Sequence, residues 1–431
     1  MSQSTNQPGP NVPEYYHQYS GGLPNTCCDD GSSVKVLQNG TLRVAMLGSW
    51  PPLRGLSSYC FECALSLADM ADVEFISFRK LYPQFLYPGG DLTEDPTFPE
   101  CRHERLTVRR RLTWYNPFTW LGEGMFSHAD LLHAQWWSLP LAPIYFTICQ
   151  VFKFRKKPIV FTVHNVQSHD QSKLFSKASQ LLFQIGDHFI VHSRQSREKL
   201  TALYGTAPDR ISLIPHGSLD FQIRCSADRD GIRREIGLAD HHKVILMFGA
   251  IRAYKGVETA LRAFSRVVEK IPDSRLLVAG KLWEPWESYQ LLIKELGLTK
   301  HVVLHLDYVP SGDVHRFFCA ADLVILPYHH FDSQSGVGST AISFRKPMIV
   351  TDVGGLPELV DDRRFIVPPM NQEKLAEAMI ACLRDPALLA EMARASEVVA
   401  ERLSWTTIAE KTCEVYRHVI GRTKQHGEVM H

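Results

Sequence analysis

Hydrophobic positions along this chain fall into short apolar runs that alternate with amphipathic stretches. The first run, Leu42 to Gly48, is continuous, and the spacing of apolar residues from about Ser57 to Met70 is typical of a helix. Further apolar runs predict strands at residues 73–78, 129–133, 159–163, 188–192 and 211–215. Because helical patterns separate most of these runs, the sequence predicts a parallel, doubly wound sheet of the α/β class.

The same alternation starts again after a polar and charged stretch at residues 228–242. Its apolar runs predict a second series of strands at 243–248, 275–280, 302–306, 323–327, 347–351 and 364–367. Two Rossmann-like halves are the simplest architecture for this pattern. Ligands of such folds bind at the carboxyl ends of the strands, so the loops that follow strands are the first candidates for a site.

These patterns divide the chain into four segments. Residues 1–40 are rich in Ser, Asn, Gln, Gly and Pro, which predicts a disordered N-terminal extension. Residues 41–220 and 221–402 hold the two α/β halves. Residues 403–431 are expected to form a helix that crosses back to the first half, followed by a short tail.

Composition and charge narrow the class of protein. The 431 residues are 45% hydrophobic and 22% charged, with a formal net charge of +1, so no global field favours a nucleic-acid partner. The sequence lacks a run of about 18 apolar residues and a signal-peptide core near its start, and we expect a cytoplasmic protein. Cys60 and Cys63 form a C-x-x-C inside a helical pattern, which favours core packing over a metal site.

A cationic loop follows the first strand of the second half. Gly249 ends the apolar run, Arg252 and Lys255 lie three positions apart, and Gly256 precedes an amphipathic helix. Free backbone N–H groups and the positive end of a helix dipole can hold a phosphorylated ligand at such a place. Arginine adds a forked pair of hydrogen bonds and lysine a point charge. Basic residues beside glycine are also common on solvated surfaces, so both interpretations stay open for this loop alone.

A second loop rich in small residues follows the strand predicted at 323–327. Ser335, Gly336 and Val337 can present backbone N–H groups to an anion or a sugar hydroxyl, and Asp332 adds a carboxylate. A Ser/Gly loop is usually a simple turn. Two loops of this kind in one Rossmann-like half favour a site for a phosphorylated ligand.

Together these motifs resemble the family-4 retaining glycosyltransferases of the GT-B fold, over about residues 42–420. Gly249-x-x-Arg252-x-x-Lys255-Gly256 looks like the diphosphate-binding loop of that family, and the segments at 48–55, 214–217 and 350–358 resemble others of its motifs. The resemblance implies two Rossmann-like doubly wound domains that face each other across a cleft. It also implies hexosyl transfer from a nucleotide diphosphate sugar to a glycan, lipid-linked or small-molecule acceptor, with retention at the anomeric carbon. Gly55 and Gly249 would then be substrate-binding residues.

The sequence departs from the family at its signature of two glutamates separated by seven residues. Asp332 takes the place of the first glutamate, which contacts hydroxyls of the donor sugar, and Thr340 takes the place of the second, which binds ribose. Asp332 could make the same contact with a shorter reach. Thr340 could make one hydrogen bond, so this position provides weaker ribose recognition than a carboxylate. A Ser-Gln-Ser-Gly-Val loop looks like a subgroup variant rather than a sign of an inactive enzyme.

Three polar residues of the first half are candidates for contact with the sugar or the acceptor. Gln135 stands where many members of the family have a histidine, with His133 two residues earlier, and His164 ends the next strand. A histidine at the carboxyl end of a strand can face the cleft, although a lone histidine is more often structural. We therefore expect His164 to be catalytic and His133 and Gln135 to bind substrate.

The resemblance requires no side-chain nucleophile and no cofactor or metal. Arg252 and Lys255 would stabilise the negative charge that builds on the leaving diphosphate. Asp228-Arg229-Asp230 has the D-x-D spacing of metal-dependent transferases, but it lies in a polar connector, which favours a solvated charge run.

A cluster of arginines precedes a cluster of aromatic residues in the first half. The arginines are Arg102, Arg105, Arg109, Arg110 and Arg111, and the aromatic residues are Trp114, Tyr115, Phe118 and Trp120. Basic residues beside aromatic ones can hold a protein at the inner, anionic face of a membrane, which would suit a lipid-linked acceptor. A mobile loop over the acceptor cleft accounts for the same pattern equally well.

Two other functions are compatible with these motifs. One is another enzyme of the GT-B fold, such as a nucleotide-sugar epimerase or a sugar phosphorylase. The other is a non-catalytic scaffold that binds sugar nucleotides, to which Thr340 lends some support.

Overall fold

The computed structural model describes residues 41–53, 56–81, 94–99, 101–167, 173–220 and 228–429, with side chains up to residue 423. The predicted N-terminal extension and Gly55 lie outside the described residues. None of the described helices is both long enough and apolar enough to cross a membrane.

The first half of the chain forms one parallel sheet. Its strands are β1 Arg43–Leu47, β2 Asp72–Lys80, β3 Leu106–Thr113, β4 Leu131–Trp136, β5 Ile159–Val163, β6 His188–Val191 and β7 Ile211–Leu213. They pair in the order β3-β2-β1-β4-β5-β6-β7. The helices between them are α1 Ser57–Ala68, α2 Pro117–Phe126, α3 Ala142–Phe154, α4 Lys173–Ile185 and α5 Arg194–Tyr204. The apolar runs that predict these strands are buried on both faces, as parallel sheets require.

The second half repeats the arrangement. Its strands are β8 Lys243–Phe248, β9 Ser274–Ala279, β10 Val302–His305, β11 Leu323–Leu326, β12 Met348–Thr351 and β13 Ile366–Val367, paired in the order β10-β9-β8-β11-β12-β13. The helices are α6 Arg229–Glu235, α7 Val257–Lys270, α8 Glu287–Glu295, α9 Val314–Ala320, α10 Gly336–Ser343, α11 Gln372–Arg384, α12 Pro386–Arg402 and α13 Trp405–Val429. The predicted pair of parallel, doubly wound α/β sheets is therefore confirmed.

Both sheets reverse their strand order at one point, and this positions the loops of interest. The reversal lies between β1 and β4 in the first sheet and between β8 and β11 in the second. The loops after those strands diverge from the sheet there and leave a crevice between them. The cationic loop after β8 and the small-residue loop after β11 therefore border the same crevice.

Residues 106–113 form strand β3, which the sequence did not predict. The sequence suggests either a membrane-facing segment or a mobile loop there, but the segment is an edge strand parallel to β2. The arginines in and just before this strand make ion pairs: Arg105 with Asp72, Arg109 with Glu74, and Arg110 with Glu94. The arginines hide the apolar alternation of a strand, and charges of this kind protect a sheet edge from unwanted pairing.

Helix α13 returns to the first half. Trp405, Ile408, Cys413 and Tyr416 are buried in the same apolar cluster as Val44 of β1 and residues of α1. Gly217 marks the close approach of the chain to this helix, because a Cβ atom there would lie 2.3 Å from the Trp405 ring. The buried, free thiols of Cys60 and Cys63 on α1 belong to the same cluster, which confirms that they pack in the core.

Hydrogen bonds and an ion pair join the two halves. The Asp95 carboxylate accepts hydrogen bonds from the backbone N–H of Ser311 and the hydroxyl of Tyr308, at 2.8 and 3.0 Å. On the other side of the cleft, Lys199 of α5 pairs with Asp332 in the loop before α10. The structure is thus held in a conformation with the two halves in contact.

Candidate active site

Gly249 is the point where the two loops of the second half meet. Its φ of +96° is in a region that side chains other than glycine rarely adopt. A Cβ atom at this position would lie 2.8 Å from Nζ of Lys255 and 2.9 Å from Cγ2 of Val337. The lysine of the first loop and the first turn of α10 are therefore neighbours, separated only by a glycine backbone.

Lys255 is a buried cation that lacks an anionic partner among the described residues. Its side chain is 6% exposed, and Nζ lies 5.1 Å from the centroid of the Tyr328 ring. Burial lowers the pKa of the ammonium group. An isolated buried charge is costly unless it is paired, so the surroundings of Lys255 favour an anionic ligand.

Arg252 lies on the indole of Trp283, with its guanidinium carbon 3.7 Å from the ring centroid. Stacking of this kind fixes the plane of the guanidinium while its N–H groups remain directed outward at the edge. The arginine is half-buried and opens the short 3-10 turn that Lys255 ends. Both predicted cations thus stand on one turn after β8.

The N-terminus of α10 supplies the third positive element. Ser335 caps the helix, because its Oγ accepts a hydrogen bond from the Gly338 N–H at 3.3 Å, and the Tyr328 hydroxyl lies 3.2 Å from the same oxygen. The first N–H groups of a helix have no partner within the helix. Gly336 is exposed and Val337 half-buried, so the amides of the first turn lie close to Lys255.

Asp332 and Thr340, the two residues that replace glutamates, already have protein partners. The Asp332 carboxylate pairs with Lys199, and its backbone oxygen accepts a hydrogen bond from the Ser196 hydroxyl at 2.7 Å. Thr340 is buried, and its hydroxyl donates to the Gly336 carbonyl at 3.0 Å. In this conformation the Thr340 hydroxyl can still accept a hydrogen bond but its proton is used inside the helix, so contact with a ribose stays a prediction.

On the opposite side of the cleft, the first half contributes a connected set of buried polar groups. The Tyr416 hydroxyl lies 2.6 Å from Nδ1 of His133, and Nε2 of His133 lies 2.7 Å from the Thr162 hydroxyl. The amide of Gln135 lies 3.1 Å from Nε2 of His133 and 2.9 Å from Nε2 of His164. The structure thus brings all three polar residues predicted in the first half into one chain of contacts.

Burial decides what each of these groups can contact. His133 and Gln135 are fully buried, so neither side chain reaches the cleft in this conformation, whereas His164 keeps 7% exposure. Substrate binding by His133 and Gln135 stays a prediction, and it would require these side chains to become accessible. They stand behind His164 and hold it in place.

Two further histidines join this chain. Nδ1 of His164 lies 3.2 Å from Nε2 of His192, whose Nδ1 lies 2.9 Å from the Ile214 carbonyl. The Tyr59 ring packs against His164, His192 and His216 at centroid distances of 4.7, 5.2 and 4.9 Å. Sequence reasoning missed His192 and His216 as members of the site, although both follow strands of the first sheet at the edge where ligands bind.

The histidines are held in their neutral form. Burial lowers the pKa of His133 and of His192 to about 3 and that of His216 to about 4. Burial and the neighbouring histidines hold the pKa of His164 well below its usual range. The site is therefore a low-dielectric wall of uncharged imidazoles that faces a positively charged wall in the second half.

The described residues contain no group of three or more His, Cys, Asp or Glu side chains placed to hold a metal ion. The D-x-D at 228–230 begins helix α6, and Oδ1 of Asp228 accepts a hydrogen bond from the Gly231 N–H at 2.6 Å. Its first aspartate is therefore the N-terminal cap of that helix.

Comparison with known proteins gives matches over both halves. Residues 53–218 match the family model described as Glycosyltransferase Family 4, and residues 228–398 match the one described as Glycosyl transferases group 1. The chain is 25% identical over 303 residues to an uncharacterized glycosyltransferase of Methanocaldococcus jannaschii, covering 67% of this chain and 75% of that protein. It is 26% identical over 324 residues to the D-inositol 3-phosphate glycosyltransferase of Corynebacterium glutamicum, covering 70% of this chain and 75% of that protein.

Solved structures with the same fold are also found. Sucrose-phosphate synthase from Thermosynechococcus elongatus superposes with a TM-score of 0.67 at 19% identity, over 88% of this chain and all of that chain. HepE of Anabaena in complex with UDP-glucose superposes with a TM-score of 0.66 at 16% identity, again over 88% of this chain and all of the other. At these identities the likeness concerns the fold.

Proposed function

We propose that this chain, which is a glycosyltransferase of the GT-B type, moves a hexosyl group from a nucleotide diphosphate sugar to an acceptor hydroxyl with retention at the anomeric carbon. The donor's diphosphate binds between the turn at Arg252–Lys255 and the N-terminus of α10. The acceptor binds on the side of the first half, near His164. The acceptor is a glycan, a lipid-linked sugar or a small molecule.

One observation carries this proposal: the buried Lys255, which has no anionic partner in the described part of the chain, lies against Gly249 and Val337. A cation, a glycine that leaves its backbone accessible and the first turn of a helix converge there. A diphosphate supplies the negative charge that this arrangement lacks, and each charge-assisted hydrogen bond to it is worth about 1.5–3 kcal/mol.

The same groups can assist bond breaking. As the bond between the anomeric carbon and the diphosphate oxygen breaks, negative charge grows on that oxygen. Lys255, Arg252 and the α10 amides are already oriented towards that charge, so they stabilise the transition state more than the ground state. We propose that these charges suffice without a metal ion.

Retention follows if the acceptor attacks from the face that the diphosphate leaves. The acceptor oxygen then bonds to the anomeric carbon, and its proton passes to the departing phosphate oxygen. No side-chain nucleophile takes part in this scheme. The neutral, buried histidine wall excludes water from that face, which strengthens the electrostatic interactions in the cleft.

Uridine diphosphate sugars are the first donors to test, because HepE, which shares the fold, was solved in complex with UDP-glucose. The experiment incubates the full chain with UDP-, GDP- and ADP-hexoses, with and without a chelator, and measures release of the nucleoside diphosphate. We expect slow release from one donor without any acceptor and faster release with a glycan or lipid extract that contains an acceptor. The new glycosidic bond should have the same anomeric configuration as the sugar in the donor.

Other outcomes separate the alternative functions. Interconversion of two sugars on the same nucleotide would indicate an epimerase, and release of a sugar phosphate in the presence of phosphate would indicate a phosphorylase. Donor binding without turnover for any acceptor would favour a sugar-nucleotide-binding scaffold. Each of these results contradicts the proposed transfer.

A further inference from the structure

Helices α2 and α3 lie side by side and present a continuous apolar surface to solvent. Phe118 and Phe154 are 82% and 83% exposed. We call this surface the α2–α3 face, and its apolar members are Phe118, Leu121, Met125, Phe126, Phe146 and Phe154. Soluble proteins rarely expose so many large apolar side chains together without a binding function.

The α2–α3 face contains a groove. It has a volume of about 330 Å³ and lies between Leu121 and Met125 on α2 and Phe146, Gln150 and Phe154 on α3. Its lining is apolar apart from the Gln150 and Thr147 side chains. Slender apolar groups such as acyl chains fit a groove of this kind, whereas a polar peptide would leave its backbone groups without partners.

Positive charge surrounds the α2–α3 face. Glu123 is the one acidic residue in the two helices, and it is buried beside Arg109 and Arg111. Lys156 is exposed at the end of α3 next to Phe154, and Arg111 is exposed before α2. Lys153 is exposed there as well, but its Nζ pairs with Asp187 at 2.8 Å. The adjoining Arg155 donates to the Gly124 and Ser127 carbonyls at the end of α2, at 2.7 Å each, so it is held at this rim as well.

These contacts favour the α2–α3 face, rather than the arginines in and before β3, as a membrane-binding surface. Arg105, Arg109 and Arg110 form ion pairs with Asp72, Glu74 and Glu94, so their charges are already balanced within the protein. The aromatic residues predicted to follow them do lie on the α2–α3 face or beside it. Trp114 and Tyr115 are 40% and 56% exposed at the carboxyl edge of the sheet, which is the edge that borders the cleft.

We propose that the α2–α3 face docks this protein on an anionic lipid bilayer. The phenylalanines insert among the acyl chains, Trp114 and Tyr115 lie at the level of the headgroups, and Lys156 and Arg111 contact lipid phosphates. A second copy of the chain is the less suitable occupant, because a symmetric dimer through this face would bring its cations towards one another. The proposal does not depend on the sugar donor or on catalysis.

Co-sedimentation of the full chain with vesicles tests this proposal. The vesicles are made of phosphatidylcholine alone or with 30% phosphatidylglycerol, and the variants are the pair Phe118→Gln with Phe154→Gln and the single change Lys156→Gln. The matched control is Leu291→Gln with Val398→Gln, two side chains 60% and 57% exposed on helices of the second half. All of these positions are exposed, so circular dichroism and thermal unfolding should match those of the original chain.

We expect the original chain and the control to bind the anionic vesicles and the phenylalanine pair to lose most of that binding. Lys156→Gln should bind about five-fold more weakly, which corresponds to about 1 kcal/mol for a cation at the headgroups. Lack of binding to anionic vesicles would overturn the proposal. So would a concentration-dependent dimer in sedimentation velocity that the phenylalanine pair abolishes, because the face would then belong to a protein interface.

Discussion

The side-chain amide of Gln135 lies 2.9 Å from Nε2 of His164, and the hydrogen bonds of His192 determine which amide atom faces that nitrogen. At the far end of the chain, Nδ1 of His192 must donate to the Ile214 carbonyl. If Oε1 of Gln135 accepted from His164, His192 would need protons on both nitrogens, which contradicts its pKa of about 3. If the amide oxygen and nitrogen of Gln135 are exchanged, the amide N–H donates to Nε2 of His164. His164 then carries its proton on Nδ1 and donates it to Nε2 of His192, so each nitrogen is either a donor or an acceptor.

The same reasoning makes Tyr416 and Gln135 positioning residues for His164. Gln135→Leu should remove the donor to Nε2 of His164 and lower kcat by roughly ten-fold, the equivalent of one lost hydrogen bond, with little change in KM for the donor. Tyr416→Phe should have a smaller effect, because it acts through His133. The side-chain ¹⁵N spectrum of the original chain provides the decisive readout: a proton on Nε2 of His164 would contradict the assignment, even if activity fell in Gln135→Leu.

Stability should fall with acid in a window set by the buried histidines. Because their pKa values are about 3 for His133 and His192 and about 4 for His216, the folded chain stays unprotonated while the unfolded chain takes up protons below about pH 6.5. Their contribution to stability is full above that pH and is lost as the pH falls from there to about 3. Each histidine gives a slope of up to about 1.4 kcal/mol per pH unit.

Urea unfolding at pH 7.5, 6.0 and 5.0 measures this slope above the range in which most carboxylates titrate. His133→Gln should reduce the dependence of the unfolding free energy on pH by the contribution of one histidine, and it should preserve most of the packing. If the free energy of unfolding stays constant between pH 7.5 and 5.0, the folded chain takes up as many protons as the unfolded chain. These histidines would then become protonated in the folded chain, which contradicts the prediction.

The strands that sequence predicts well are those buried on both faces. The runs at 159–163 and 243–248 match β5 and β8, because continuous apolar residues leave little choice of structure. Strand β3 was missed because arginines occupy its edge and only their ion pairs with Asp72, Glu74 and Glu94 reveal its pairing. Ion pairs between distant segments cannot be read from a local pattern.

In the candidate site, too, some features can be predicted from local sequence and others depend on contacts between distant segments. Gly249 and Lys255 are predictable because strand order alone brings the loops after β8 and β11 together. The burial of His133 and the partnership of Asp332 with Lys199 depend on α13 and on contact between the two halves, which link residues more than a hundred positions apart. Local sequence contains no signal for either contact.

Lys255→Met should abolish most turnover while the fold persists. The loss of one charge-assisted hydrogen bond to the diphosphate predicts a fall in kcat/KM of about 10- to 150-fold. Lys346→Met is the matched control, because Lys346 is also a largely buried lysine of the second half, but its Nζ donates to the Ala321 carbonyl. Equal losses of activity in both variants would mean that Lys255 supports the fold rather than the donor.

Gly249→Ala should impair donor binding beyond its effect on stability. A methyl group at this position would lie 2.8 Å from Nζ of Lys255, so the lysine must move away from the site. Gly205→Ala is the control: its φ of +64° imposes comparable backbone strain, but nothing lies within 4 Å of the added carbon. Both changes should cost about 1–2 kcal/mol of stability, and calorimetric titration with the donor should show weaker binding in Gly249→Ala alone.

Asp332 and Lys199 provide a test of whether the ion pair between the halves competes with the donor sugar. If Asp332 contacts the sugar as its place in the sequence motif implies, Asp332→Ala should lower kcat/KM clearly more than Lys199→Ala, because the second change leaves the carboxylate free to bind the sugar. The ion pair itself is partly solvated, with both side chains 29% exposed, so its loss should change the free energy of unfolding by no more than about 1 kcal/mol. A double-mutant cycle on kcat/KM separates the two roles: equal effects of the single variants, with full coupling between them, would assign Asp332 to holding the halves together and remove it from the donor site.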